Sequence, residues 1–122
     1  KNIEFFEIYL KGDKNVNRKI INSLSIKKNE FDSRLGELFI ESVYTIDEIS
    51  KNSKGQVISY RSKIEVSLMI KEGDKVIKDV NFIEEFTYNN RDNKFELTEY
   101  QKDVKNNIVI KILERIIVSL NV

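Results

Sequence analysis

From residue 57 to 71 apolar and polar side chains alternate along the chain. Ile58, Tyr60, Ile64, Val66, Leu68 and Ile70 share one parity, and Ser59, Arg61, Lys63, Glu65, Ser67 and Lys71 share the other. A period of two marks a strand with one face in a core and the other facing water. Upstream, "LFIESVYTIDEI" is a second extended run, separated from the first by the turn "SKNSKGQ". Downstream, "KEGDK" marks a tight hairpin by its Gly-Asp, and the strand after it carries Val76, Val80, Phe82, Phe86 and Tyr88 on one face. That strand is expected to end in "YNNRDNK".

The ends of the chain are patterned differently. "IEFFEIYL", residues 3 to 10, is aromatic and branched and is bounded by "KGDK", which predicts one strand with apolar groups on both faces. Asp13 is a suitable N-cap for a short helix in which Val16, Ile20 and Leu24 recur every four residues with Ile21 beside them. The helix is expected to end near Lys27 and Lys28, where cations suit the carbonyl end, and "NEFDSRLGE" to connect it to the next strand. From Glu96 onward Val104, Ile108, Ile112 and Ile116, with Val109, Leu113, Ile117 and Leu120, form a wide apolar stripe against Lys111, Glu114 and Arg115. Branched residues weaken helix propensity here, but the length and the four-residue recurrence decide for a long terminal helix.

The predicted order is β-α-β-β-β-α, an α+β fold. Two amphipathic helices and one apolar sheet face pack most economically as a two-layer sandwich, both helices on one face of a four-stranded mixed sheet. A right-handed crossover lays the first strand parallel to the second, and two hairpins make the remaining strands an antiparallel meander. At 122 residues the chain is one domain, 1–122, with enough core to need no staple.

Composition narrows the chemistry. With no Cys, His, Trp or Pro, thiolate nucleophiles, imidazole acid–base catalysis and the usual nitrogen and sulfur metal ligands are closed off. Adjacent Glu84 and Glu85 point to opposite faces of a strand and form no catalytic pair, and Glu96 and Glu99 suit the opening of the last helix as capping groups. The expectation is a protein that is not an enzyme and uses no metal or cofactor. No run approaches the roughly 18 apolar residues of a membrane span.

The 21 basic and 20 acidic side chains leave a net charge of +1, so electrostatic function has to come from local arrangement. In the predicted topology the end of the first strand, the turn between the second and third, and the loop before the last helix share one pole. They carry Lys11, Lys14, Lys51, Lys54, Arg91 and Lys94, with Lys102 in the first turns of the last helix. The other pole carries Glu37, Glu72 and Asp74. A cationic pole can hold phosphate groups by charge-assisted contacts; the plainer reading is a solubilising surface. On the uncovered sheet face Phe39, Val43, Ile49, Met69, Ile77 and Ile83 form either one contact patch for a protein or acyl chains, or scattered exposure.

The order of elements, the basic turn "SKGQ" followed by "YRSKIEVSLMI", the strand ending "FTYNN" and the helix "YQKDVKNNIVIKILERIIVSL" resemble the LPS-assembly lipoprotein LptE family of Gram-negative outer membranes. The resemblance spans nearly the whole chain and lies in order and spacing. It implies a lipid-anchored domain on the periplasmic side of the outer membrane, plugging an LptD-like outer-membrane β-barrel and supporting lipopolysaccharide transfer. It also implies that basic residues of the strand two–three turn and of the start of the last helix contact lipopolysaccharide. Here these are Lys54 and Lys102, assisted by Lys51, Arg91 and Lys94. Family members carry an acylated N-terminal Cys, which this sequence lacks, so the expected anchor to the inner leaflet lies upstream of Lys1. The alternative is a generic α/β binding module for nucleic acid or another anion, with Tyr60, Tyr88 and Arg61 as a stacking platform. Tyr60 and Tyr88 fall on expected core faces, so no nucleic acid is expected.

Overall fold

A computed structural model describes residues 3–121; Lys1 and Asn2, which open the first extended stretch, lie outside it, as does Val122. The elements are β1 (Ile3–Phe5), β2 (Glu7–Gly12), α1 (Lys14–Ser23), β3 (Ile26–Lys28), β4 (Glu37–Lys51), β5 (Val57–Glu72), β6 (Lys75–Asn89) and α2 (Lys94–Leu120). The main sheet has the order β2-β4-β5-β6, with β2 parallel to β4 and the rest antiparallel. Helix α1 packs on β2 and β4, and α2 on β5 and β6. This is the expected two-layer α+β sandwich on a mixed four-stranded sheet.

The core lies between the layers. Even-numbered residues of the long strands, Leu38, Ile40, Ile64, Val66, Leu68 and Phe82, meet Val16 and Ile20 of α1 and Ile108, Ile112 and Ile116 of α2. Among the described residues three polar side chains are buried with them, each with a partner, as burial demands. Ser42 Oγ donates to Asn17 Oδ1 at 2.7 Å, Asn17 Nδ2 donates to the Lys11 carbonyl at 3.0 Å, and Ser62 shares a 2.8 Å hydrogen bond with the Tyr88 hydroxyl.

Several expectations are corrected. The first strand is two: the Phe6 N–H turns to the Gly36 carbonyl at 2.9 Å, breaking the run, and β1 leaves the main sheet to pair in parallel with β3. Lys27 and Lys28 sit in that β3, not at a helix end. The helix stops at Ser23 because Ser25 adopts a left-handed backbone, φ 53°. Helix α2 starts at Lys94 rather than Glu96, capped by Asn93, whose Oδ1 accepts from the N–H groups of Phe95 and Glu96. The side chains of Glu96 and Glu99 are not the cap. Ile58, Val76 and Phe86, expected on the core face, are nearly half exposed: a register shift between Ile70 and Lys71 sets Val76 opposite Lys71 of the uncovered face, and Phe86 borders an open groove against α2.

The uncovered face is not one patch. Cross-strand register sets Val43 opposite Glu65 and Glu65 opposite Ile83, so a carboxylate separates the two apolar groups. Apolar density gathers instead at the β2 edge, where Tyr9 stacks on Phe39 at 4.7 Å and Phe39 lies opposite Met69.

Candidate functional site: a cationic hairpin tip

The β4–β5 turn is held by its own polar groups. Asn52 Oδ1 accepts from the N–H groups of Lys54 and Gln56 at 2.9 and 3.0 Å, and its main-chain N–H donates to the Gln56 carbonyl at 2.9 Å. Gly55 closes the turn at φ +80°, a backbone that side-chain-bearing residues rarely adopt. An Asn accepting from residues two and four positions on fixes the tip without tertiary support, so Lys54 projects from a rigid turn.

The loop from β6 to α2 is tied to the same end. Asn90 donates from its main-chain N–H to the Ile58 carbonyl at 2.7 Å and from Nδ2 to the Val57 carbonyl at 2.9 Å. This places Arg91 and Lys94 beside the hairpin base. The Arg91 guanidinium lies 4.2 Å from the centre of the Tyr100 ring, which meets Tyr88 edge-on at 5.4 Å. A cation over an aromatic face at an exposed site gains about 0.5–1 kcal/mol, enough to favour one orientation of the guanidinium. Tyr100 thereby joins the site; sequence patterning gave no sign of it, since the contact links a loop to the second turn of a helix.

The five expected residues are not equivalent. Lys54, Arg91 and Lys94 have no carboxylate within ion-pair distance among the described residues. Lys51 is paired with Glu48 at 3.4 Å and Lys102 with Glu99 at 3.1 Å. Lys102 is also set back, eight residues into α2 from Lys94, about 12 Å along the axis at 1.5 Å per residue. Lys102 is less than one turn from Lys105, which reaches Asp13 and the Tyr44 ring at mid-sheet, so it stands near the middle of the molecule and not at the tip with Lys54.

Lys11 and Lys14 do not belong to this pole. Gly12 lies opposite Ser42, in the middle of β4, so the end of β2 falls nine residues short of Lys51, about 30 Å at the rise of a strand. The expectation failed because β2 is less than half as long as β4, a difference that parallel pairing alone does not reveal.

The tip presents ammonium and guanidinium groups from three segments at solvent-exposed positions, an arrangement able to bind a multiply charged anion by direct and screened contacts. Glu84 and Glu85, on opposite faces of β6, are each engaged by an arginine: Glu84 by Arg115 at 3.0 Å and Glu85 by Arg61 at 3.9 Å. Helix α2, though 27 residues long, is not apolar enough to cross a membrane.

Fold and tip together define a small two-layer α+β domain with a rigid cationic hairpin. Solved structures similar to it include those of bacterial lipoproteins. The chain is similar to the rare lipoprotein B from Shewanella oneidensis, with TM-score 0.71 and 13% identity over 94% of this chain and 93% of that one. It is also similar to a minor lipoprotein from Acinetobacter baumannii, with TM-score 0.62 and 10% identity over 96% and 94% of the two chains. A lipoprotein B from Nitrosomonas europaea gives TM-score 0.62 and 9% identity over 94% and 81%. At these identities the likeness shows a shared fold. No protein-family model matches the chain, and no curated protein sequence matches it.

Proposed function

We propose that this domain is a non-enzymatic lipopolysaccharide assembly and transport lipoprotein. It stands on the periplasmic side of the outer membrane, plugs an LptD-like β-barrel, and contacts lipopolysaccharide through its cationic tip. The observation that carries the reading is the tip itself: Lys54 on a turn locked by Asn52, at the end of the sheet to which the loop carrying Arg91 and Lys94 is tied, none of the three paired with a carboxylate among the described residues. Lipid A and core phosphates are multiply anionic and suit such a cluster, and no bond is made or broken. The full-length likeness to bacterial lipoproteins and the resemblance in element order to LptE support the same reading.

The nucleic-acid alternative needs an aromatic platform, and its proposed residues do not make one. Tyr88 is buried with its hydroxyl bonded to Ser62, and Arg61 points to the opposite sheet face, where it donates to Thr87 Oγ1 at 3.1 Å.

The test has two arms. Titration of the domain with purified lipopolysaccharide at low and high salt is expected to give saturable binding that weakens with ionic strength. Co-expression with an LptD-like barrel is expected to yield a co-purifying complex. Binding to neither ligand overturns the proposal; barrel binding alone overturns the lipopolysaccharide contact.

A further inference from the structure

The main sheet has two free edges, and they differ. β2 covers β4 only as far as Ser42, but the exposed remainder of β4 is irregular between Glu48 and Lys51, which blunts it as a template. β6 is the other edge, and from Lys78 to Asn89 it pairs with β5 without a register shift. Two hydrogen bonds give the direction of its main-chain groups. The Asn90 N–H donates to Ile58, so even-numbered residues bond inward to β5. The Arg115 guanidinium donates from outside the sheet to the Ile83 carbonyl at 3.0 Å, so odd-numbered residues face outward. Glu85 and Thr87 therefore present two N–H and two C=O groups to solvent at the edge.

Beside that stretch a groove of about 410 Å³ runs between β6 and α2, lined by Phe86, Tyr100, Val104 and Ile108. Its margin carries Asp103 and Glu114 against Lys111, while Glu85 borders it by its main chain, its carboxylate lying on the other sheet face beside Arg61. Unpaired main-chain donors and acceptors next to an apolar trough suit an extended polypeptide, which satisfies the edge and seats alternate side chains.

We propose that the β6 edge accepts an extended segment of a partner protein as a fifth strand along Glu85–Thr87. Apolar side chains of one parity enter the Phe86–Val104–Ile108 groove, and a basic residue meets Asp103 or Glu114. Arg115, bound to Ile83, marks where the added strand stops. The acidic margin disfavours an anionic lipid. A second copy of this chain is disfavoured too, because antiparallel β6–β6 pairing brings the Glu84–Glu85 segments of both copies together. This inference goes beyond the lipopolysaccharide reading and does not depend on it.

The probe is a seven-residue peptide of alternating valine and threonine with lysine at each end, added to the full chain and followed by amide hydrogen exchange and NMR. Exchange at Glu85 and Thr87 is expected to slow at least about tenfold, with shifts at Phe86 and Ile108. Thr87→Pro removes an outward N–H that β5 does not use and is expected to weaken binding about tenfold with the fold intact. Should that variant not fold, Phe86→Lys, at a position 47% exposed, sets a cation in the groove and is expected to have the same effect. Lys54→Glu is expected to leave peptide binding unchanged. The proposal is overturned by unchanged affinity in both edge variants, by absence of protection at millimolar peptide, or by protection on β4 instead. Protection that appears without peptide and grows with protein concentration, or equal shifts from a short-chain phospholipid, also overturns it by assigning the edge to a second copy or to lipid.

Discussion

The Lys105 ammonium of α2 stands 3.2 Å from the Asp13 carboxylate, 92 residues earlier in the chain, and 4.4 Å from the centre of the Tyr44 ring. Asp13 is also the cap of α1, accepting from the Val16 N–H at 2.9 Å. One carboxylate thus closes the open end of the short helix and ties it to the long one. Both side chains are about four-fifths covered, so the pair is less screened than a surface bridge.

Removing the carboxylate is expected to cost about 2 kcal/mol in Asp13→Ala, combining the lost cap with a lost partner for Lys105. Asp13→Asn keeps an acceptor for Val16 and is expected to cost less than half of that. Urea denaturation of both variants checks the order; equal losses remove the role assigned to the cap.

The same group predicts a pH dependence. Burial by itself raises the Asp13 carboxyl, but the Val16 N–H and the Lys105 ammonium outweigh it and hold the group below the usual carboxylate range. A lowered folded value means the stabilisation is fully present above the unfolded value of about 3.9 and is lost as pH falls through the folded one. Acid unfolding of Asp13→Asn should be less pH-dependent than that of the parent below about pH 4.

Glycine positions separate contact from backbone strain. A Cβ on Gly12 stands 1.9 Å from the Ser42 carbonyl oxygen, and φ is +95°. That oxygen accepts from the Asp13 N–H at 3.0 Å, so neither strand can retreat without breaking the β2–α1 junction. Gly55 is also left-handed, at φ +80°, but among the described residues nothing lies within 4 Å of an added Cβ. Gly12→Ala is expected to cost about 3 kcal/mol or more, and Gly55→Ala about 1 kcal/mol. Thermal melts of the two variants make the comparison, and a larger loss at Gly55 contradicts this account.

What the chain's patterning reveals is what a single local period controls. β5 and α2 are legible because their periods run for 16 and 27 residues, and even the weak propensity of the "IVIKIL" stretch is overruled by length. The split after Phe5 is not legible. It depends on Ile3 finding Ile26 and Phe6 finding Gly36, pairings that lie across a helix and a loop. The cationic tip is legible at Lys54, where the turn residues Asn52 and Gly55 are local, and illegible at Lys11 and Lys14, whose height follows from the register of β2 on β4. Arg91 is visible as a charge but not as a partner of Tyr100, since a contact between a loop and a helix face leaves no periodic trace.

The tip residues should contribute unequally to anion binding. Lys102 is partly neutralised by Glu99 and set back along α2, whereas Lys54 has no carboxylate partner among the described residues and stands on the turn. If the proposed lipopolysaccharide contact is electrostatic, Lys54→Gln should weaken binding at low salt by about three- to fivefold and Lys102→Gln by less than about twofold, an exposed charge contact being worth about 1 kcal/mol or less. The charge reversal Lys54→Glu should lose more than the neutral change, and the gap should close as salt rises. Because Gln keeps much of the aliphatic stem, a loss that persists undiminished at high salt assigns Lys54 to packing against the lipid rather than to its phosphates. Arg91→Lys discriminates further. It keeps the charge but weakens the contact with Tyr100, so a clear loss shows that the tip needs an oriented guanidinium rather than positive charge alone.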